Sequence, residues 1–245
     1  MRAILLDIEG TTTPVAFVYE TLFPYARRQL RRYLELHDGS SDFHALAGRL
    51  RAEHEADAAA SANVPPWSDA SIDARRASIA GYVTWLMDHD RKSPALKELQ
   101  GRIWEEGYRT GALAGEVFDD VAPALRRWRD RGIETAIFSS GSVLAQQLLF
   151  GYSSAGDLGP LLRFHFDTAV GPKTEAASYR RIASAIGTPP QEVVFVSDVV
   201  RELDAARAAG MQTVLCMRPG HSAPAAEHGH RIVRTFDELT FGDPT

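Results

Sequence analysis

Between residues 117 and 217 short apolar runs alternate with amphipathic stretches, and no other feature limits the fold as tightly. APALRRWRDRG (122–132) has helical spacing and stops at Gly132, while IETAIFSS (133–140) is an apolar run ending in hydroxyls. The pattern continues with SVLAQQLLF (142–150) as a helix and FDTAV (166–170) as a short strand. TEAASYRRIASAIG (174–187) follows as a helix, EVVFVSD (192–198) as a strand and RELDAARAAG (201–210) as a helix, and MQTVLCM (211–217) completes the series as a strand. Strands alternating with helices of this length argue for a parallel sheet with helices on both faces. RAILLDI (2–8), ended by Gly10 and Pro14, supplies one more strand. The expected fold class is α/β, a doubly wound parallel sheet.

The stretch after that first strand has a different texture. Val64, Ile72, Ile79, Val83 and Ile103 are the only Val or Ile residues between positions 20 and 110, which argues against strands there. Apolar residues recur at helical spacing instead, as in Leu22, Ala26, Leu30, Tyr33 and Leu34, or Leu96, Leu99, Ile103 and Trp104. HDGSS (37–41), NVPPWSD (63–69) and KSP (92–94) punctuate the helices. Four or five helices are therefore expected as an insertion at 17–114, with the core made of 1–16 and 115–245. A length of 245 residues suits one main domain with such an insertion.

Composition narrows the partners. The net charge of −5 gives no electrostatic reason to expect nucleic acid or an anionic membrane. Cys216 is the only cysteine, which excludes an intramolecular disulfide and a cysteine metal cluster. No charged stretch followed by a cleavable apolar run opens the chain, and no window reaches the length of a membrane span. The expectation is a cytoplasmic enzyme, a monomer, acting on a small molecule.

In open parallel sheets ligands bind beyond the carboxyl ends of the strands. There the sequence places Asp7 and Glu9 after the first strand, Ser139 and Ser140 after the second, Lys173 beside the 166–170 run, and Asp198 after the strand at 192–197. Three acids, two hydroxyls and an ammonium at one edge suit a phosphate ester held with a divalent cation. Asp7 is the candidate nucleophile, since a carboxylate attacks phosphorus once the charges are screened. Glu9 projects to the same side if the chain stays extended, where it would protonate the leaving oxygen and later activate water. Lys173 would neutralise the phosphoryl group. Each residue has a plainer alternative: loop acids for Asp7 and Glu9, a helix cap for Asp198 or for the serines at 139–142, and a solvated lysine for Lys173.

These motifs, Asp7-Ile8-Glu9-Gly10-Thr11-Thr12, Ser139-Ser140, Lys173, and Ser197-Asp198 followed by Glu202 and Asp204, resemble in order those of the haloacid dehalogenase superfamily of phosphohydrolases. The helical insertion resembles that superfamily's cap domain. Most of its phosphatases carry Asp where this chain has Glu9. DIEGTTTPVAFV, LKELQGRIWEEGY (96–108), FSSGSVLAQQLLFGYS (138–153) and FVSDVVRELDAARAAG (195–210) resemble, more narrowly, the enolase-phosphatase family of methionine salvage. The resemblance implies enolisation of 2,3-diketo-5-methylthiopentyl-1-phosphate and then its dephosphorylation through an aspartyl-phosphate. It also implies Mg²⁺ held by Asp7, Glu9 and Asp198, and substrate phosphate held by Ser139, Ser140 and Lys173. Whether Glu9 reaches the metal by side chain or backbone carbonyl stays open, as does the base for enolisation.

Lys97, Gln100, Trp104 and Tyr108 follow one face of the helix at 94–108 and Leu96, Leu99 and Ile103 another, which reads first as a solvated face beside a core face. Lys97 and Gln100 are the cap positions named for substrate contact. Glu202, one turn after Asp198, is placed to orient Lys173 or a metal-bound water. His221, His228 and His230 lie in a Gly/Pro/Ala loop without acids at ligand spacing and read as surface. Cys216 reads as inert core. Two other functions stay open on the residues: an Mg²⁺-dependent phosphomonoesterase without an enolase step, and a phosphate-binding scaffold without turnover. An intact Asp7 counts against the scaffold.

Overall fold

The computed structural model describes residues 1–60, 62–219 and 228–240. The chain forms two compact units, Met1–Val18 with Leu113–Thr245, and Tyr19–Ala112.

The first unit is built on six parallel strands in the order β3-β2-β1-β4-β5-β6. They are β1 (Ala3–Leu6), β2 (Glu134–Phe138), β3 (Phe164–Phe166), β4 (Val193–Ser197), β5 (Gln212–Cys216) and β6 (Arg231–Val233). β1 and β4 are buried along their whole length, so both read as unbroken apolar runs rather than as alternation. Successive side chains point to opposite faces, and Ala3, Leu5, Ala136, Phe138, Val193 and Phe195 share one core face with Tyr179, Ile182, Leu203 and Ala206. Those last four lie on two helices, Ala176–Ile186 and Val200–Ala208. The doubly wound parallel sheet expected from the alternation is present.

Two strands depart from the sequence reading. The run at 166–170 is not a strand: β3 ends at Phe166, and 167–170 is a turn in which the Asp167 carboxylate accepts from Ala169 N at 2.8 Å. MQTVLCM does not complete the sheet either, because β6 pairs beyond it, Val214 to Arg231 through Cys216 to Val233. Cys216 is fully buried in β5, and burial pushes its thiol up to about 12.

The helical unit contains α1 (Phe23–His37), α2 (Ser41–Ala59), α3 (Ile72–Asp88) and α4 (Pro94–Arg109), preceded by a π-helical stretch, Phe17–Leu22. Ser40, Ser71 and Ser93 cap α2, α3 and α4, each hydroxyl accepting an amide of the first turn, which satisfies one of the donors a helix start leaves open. The face of α4 read as solvated is largely buried: Gln100, Trp104 and Tyr108 are 3–8% exposed and only Lys97 is half-exposed. Trp104 Nε1 donates to the Leu22 carbonyl at 2.9 Å. Helices packed on two sides of α4 leave it little outside. Among the described residues no helix is long and apolar enough to cross a membrane.

In the first unit the remaining helices are α5 (Val121–Asp130), α6 (Val143–Gly151), α7 (Ala176–Ile186) and α8 (Val200–Ala208).

Candidate active site

β1 lies between β2 and β4, where the strand order reverses direction, and crevices form at the carboxyl ends of such strands. Asp7 follows β1 directly and is 4% exposed. Its amide continues the ladder by donating to Val196 O at 3.0 Å. Because Leu6 is in register with Val196, the next positions, Asp7 and Ser197, lie side by side with side chains on the face covered by α7 and α8.

On that face the Asp7 carboxylate is held at both oxygens. Oδ1 accepts from Lys173 Nζ at 2.7 Å and from Ile8 N at 2.7 Å, and Oδ2 accepts from Ser197 Oγ at 2.9 Å. Lys173 also pairs with Glu202 Oε2 at 2.7 Å and stands 5.7 Å over the Phe138 ring. Tyr179 on α7 donates its hydroxyl to the Lys173 carbonyl at 2.7 Å. The lysine is therefore a buried cation between two carboxylates, not a solvated side chain. Burial alone would lower its pKa, but the Asp7 and Glu202 charges outweigh it and the net direction is up.

After Ile8 the chain does not stay extended. The Ile8 carbonyl accepts from Thr11, Thr12 and Thr13 amides at 2.9–3.1 Å, and Gly10 takes φ 69°, a left-handed value that suits glycine. Thr12 Oγ1 donates to Asp7 O at 3.1 Å. The wrapped loop keeps Glu9 in the field of Asp7, Lys173 and Asp198. Burial first, and the Asp7 charge second, raise the Glu9 pKa. Asp198, half-buried, is pushed up to about 6 by burial and then by Asp7. Glu202 is raised by burial and by Asp7, against the pull of Lys173. Asp198 does not serve as the cap of α8, whose N-cap is Val199 without a side-chain bond.

Ser139 follows directly on β2, the neighbour of β1 on the side away from β4. Its amide donates to Phe166 O at 3.2 Å and its Oγ accepts from Gly141 N at 3.1 Å. Ser140 beside it is exposed. The cap of α6 is Ser142, whose hydroxyl accepts from Ala145 N.

Asp7, Lys173 and Glu202 are thus joined directly, and Glu9 and Asp198 stand in their field. Lys97 and Gln100 belong to α4 of the helical unit, the first half-buried and the second buried. Asp204 points elsewhere: it pairs with Arg207 and with His230 Nε2 at 3.1 Å. His230 is 7% exposed and also meets Thr213, so it is a core side chain and not part of a surface loop. His221 lies outside the described residues. Ser197, which the sequence offered only as part of the Ser197-Asp198 motif without a role, bridges Asp7 and Glu202, and Arg218 was not singled out at all. Arg218 donates from Nε to Thr11 O at 2.9 Å, pairs with Asp120 at 2.7 Å and is flanked by the Phe118 and Phe236 rings. A lone arginine after a strand carries no pattern that would reveal this.

The donor set suits a hard divalent cation: it is all oxygen, and negative charge exceeds the single ammonium facing it. Among the described residues no three His, Cys, Asp or Glu side chains form a ligand group by themselves. A cation here would complete its shell with backbone carbonyls, water and substrate oxygens, the habit of Mg²⁺.

Residues 1–210 match the model of a hydrolase family, the haloacid dehalogenase-like hydrolases. A protein of Synechococcus elongatus named Enolase-phosphatase E1 is 52% identical over 240 residues, 98% of each chain. One of the same name from Sorangium cellulosum is 48% identical over 241 residues, 97% of each. The crystal structure of UTR4 protein from Saccharomyces cerevisiae superposes with a TM-score of 0.78 at 32% identity, covering 97% of this chain and 99% of that one. With matches that run the length of the chain at such identity, the protein belongs to the haloacid dehalogenase-like hydrolases and, within them, to the enolase-phosphatase family.

Proposed function

We propose that the protein enolises 2,3-diketo-5-methylthiopentyl-1-phosphate and then dephosphorylates it to the acireductone, in methionine salvage. The observation that carries this is the full-length identity with enolase-phosphatases, joined to a buried carboxylate, Asp7, fixed by Lys173 and Ser197 at the end of the central strand. Family membership implies a divalent metal, and the oxygen donors favour Mg²⁺. Asp7, Asp198 and residue 9 would hold it, where it would offset phosphate charge and polarise the carbonyl beside the phosphate-bearing carbon.

Asp7 attacks phosphorus, the bond from phosphorus to the ester oxygen breaks, and the leaving oxygen takes a proton from Glu9. Water then attacks the aspartyl-phosphate, Glu9 takes the water's proton, and phosphate leaves with Asp7 restored. Lys173 counters the phosphoryl charge and is itself positioned by Glu202. Ser139 and Ser140 donate to phosphoryl oxygens. A carboxylate bound to metal is a poor proton donor, so Glu9 works best with its side chain on protons and its backbone carbonyl toward the cation. Residues 17–114 serve as the cap, with Lys97 and Gln100 as positions for substrate contact.

The test is an anaerobic time course with Mg²⁺ and the diketo ester, following enol absorbance and released phosphate in one sample. Enol absorbance that leads or matches phosphate, both lost with EDTA, is the expected result. Phosphate without enol would leave a simple phosphomonoesterase, and neither signal would leave a phosphate-binding scaffold.

A further inference from the structure

α6 carries a glutamine at a position where a helix packed on a sheet usually carries an aliphatic residue. Gln146 is 1% exposed, beside the buried Leu148, Leu149 and Phe150 of the same helix. Its Nε2 donates to the Gly141 carbonyl at 2.9 Å and to the Phe166 carbonyl at 2.8 Å. Ser139 N donates to that same Phe166 carbonyl. One oxygen at the end of β3 therefore gathers both the start of the serine loop and the side chain that grips its far end. The amide has one orientation only, since turning it over would set its oxygen against two carbonyl oxygens. Oε1 is buried without a protein partner. Leu or Met would fill the volume without that cost, so packing does not explain the residue.

We propose that Gln146 is a positioning residue for phosphoryl binding, clasping the loop at 139–141 to the end of β3 so that the loop meets phosphate already formed. With Ser139 Oγ accepting from Gly141 N, the hydroxyl proton is the group left to donate to a phosphoryl oxygen. The proposal rests on the phosphatase reading of the site and adds the device that sets its affinity for the phosphoryl group.

Gln146→Met keeps the volume and removes both donors, and Gln146→Glu keeps the shape while facing two carbonyls with acceptors. Each is compared with wild type for turnover of p-nitrophenyl phosphate with Mg²⁺, inhibition by inorganic phosphate, calorimetric phosphate binding and melting temperature. In Gln146→Met, KM and the phosphate inhibition constant should rise together by about tenfold to a hundredfold. The change in kcat should be smaller, the Mg²⁺ requirement unchanged, and the rise steeper for Gln146→Glu. A lower melting temperature with both constants unmoved would overturn the proposal. Hydrogen exchange on wild type needs no variant: amides at 139–141 should be protected without phosphate as with it, and protection only after phosphate binds would also overturn it. An absent enol signal in wild type with these results intact would reject the enolase reading and leave the clasp standing.

Discussion

In the sheet unit the deepest ion pairs sit below the surface, Lys173 between Asp7 and Glu202 and Arg218 against Asp120, with side chains 2–13% exposed. In the helical unit Arg49 with Glu98 and Arg51 with Glu55 stay 37–63% exposed. The helical unit hides rings instead: Tyr82 is fully buried beside His54, Trp67 and Trp85, with its hydroxyl on Asp57. Its one deeply buried acid, Asp38, is shared by Arg75 and Arg76. Burying charge is unfavourable unless each ion is paired and hydrogen-bonded, and only the unit that needs charged groups away from water does so on a large scale. One region keeps these charges inside, the other leaves them in water.

Asp7→Asn should separate chemistry from folding most sharply, lowering phosphate release by at least about 10³-fold while the melting temperature stays near wild type. Equal losses of both would mean that the carboxylate is structural. Lys173→Met leaves Asp7 and Glu202 facing each other unpaired, and chemical denaturation should show a loss of about 3 kcal/mol. A neutral result would put the pair in the class of surface bridges and break the contrast. In the helical unit the sensitive point is packing: a Cβ on Gly107 would stand 2.7 Å from the end of the half-buried Tyr25 ring, so the ring must turn away, and Gly107→Ala, after the helix propensity it gains, should cost at most about 1 kcal/mol by the same assay.

The sheet unit should also carry an acid sensitivity. Burial lowers the pKa of His165 and of His230, with the Arg207 charge a further cause at His230. The folded state thus binds these protons more weakly than the unfolded chain, which takes them up near the ordinary value of about 6.5. Their contribution is present above that value and is lost as pH falls through the lower folded values. Melts at pH 7.5 and 5.5 should show His230→Gln less pH-dependent than wild type. The smallest effect is expected for Arg49→Ala, within about 0.5 kcal/mol.

The alternation of textures made β1, β2, β4 and β5 legible, because buried parallel strands are long apolar runs and their helices show a 3.6-residue stripe. β3 and β6 were not, since each has only three residues and is defined by neighbours distant in sequence. FDTAV alternates like a strand, yet Asp167 turns it through its own side chain. The acids and Lys173 were legible as positions at strand ends, whereas the shared grip of Lys173 and Ser197 on Asp7 depends on register and on α7 and α8 packing. Gln146 was hidden for a related reason: one amide inside an apolar helix leaves no period to detect.

The clasp of Arg218 on Thr11 has a consequence for the order in which the protein is made. β1 leaves the ribosome before either of its neighbours, and the loop behind it waits for Arg218 and Phe236, which are translated after every catalytic candidate. A nascent chain thus carries the proposed nucleophile, Asp7, for most of synthesis before Arg218 can brace the loop behind it. Such distant pairings are slow to close, while the inserted helices have local partners and can settle first. The loop that follows Asp7 is the part of the sheet unit braced from farthest along the chain.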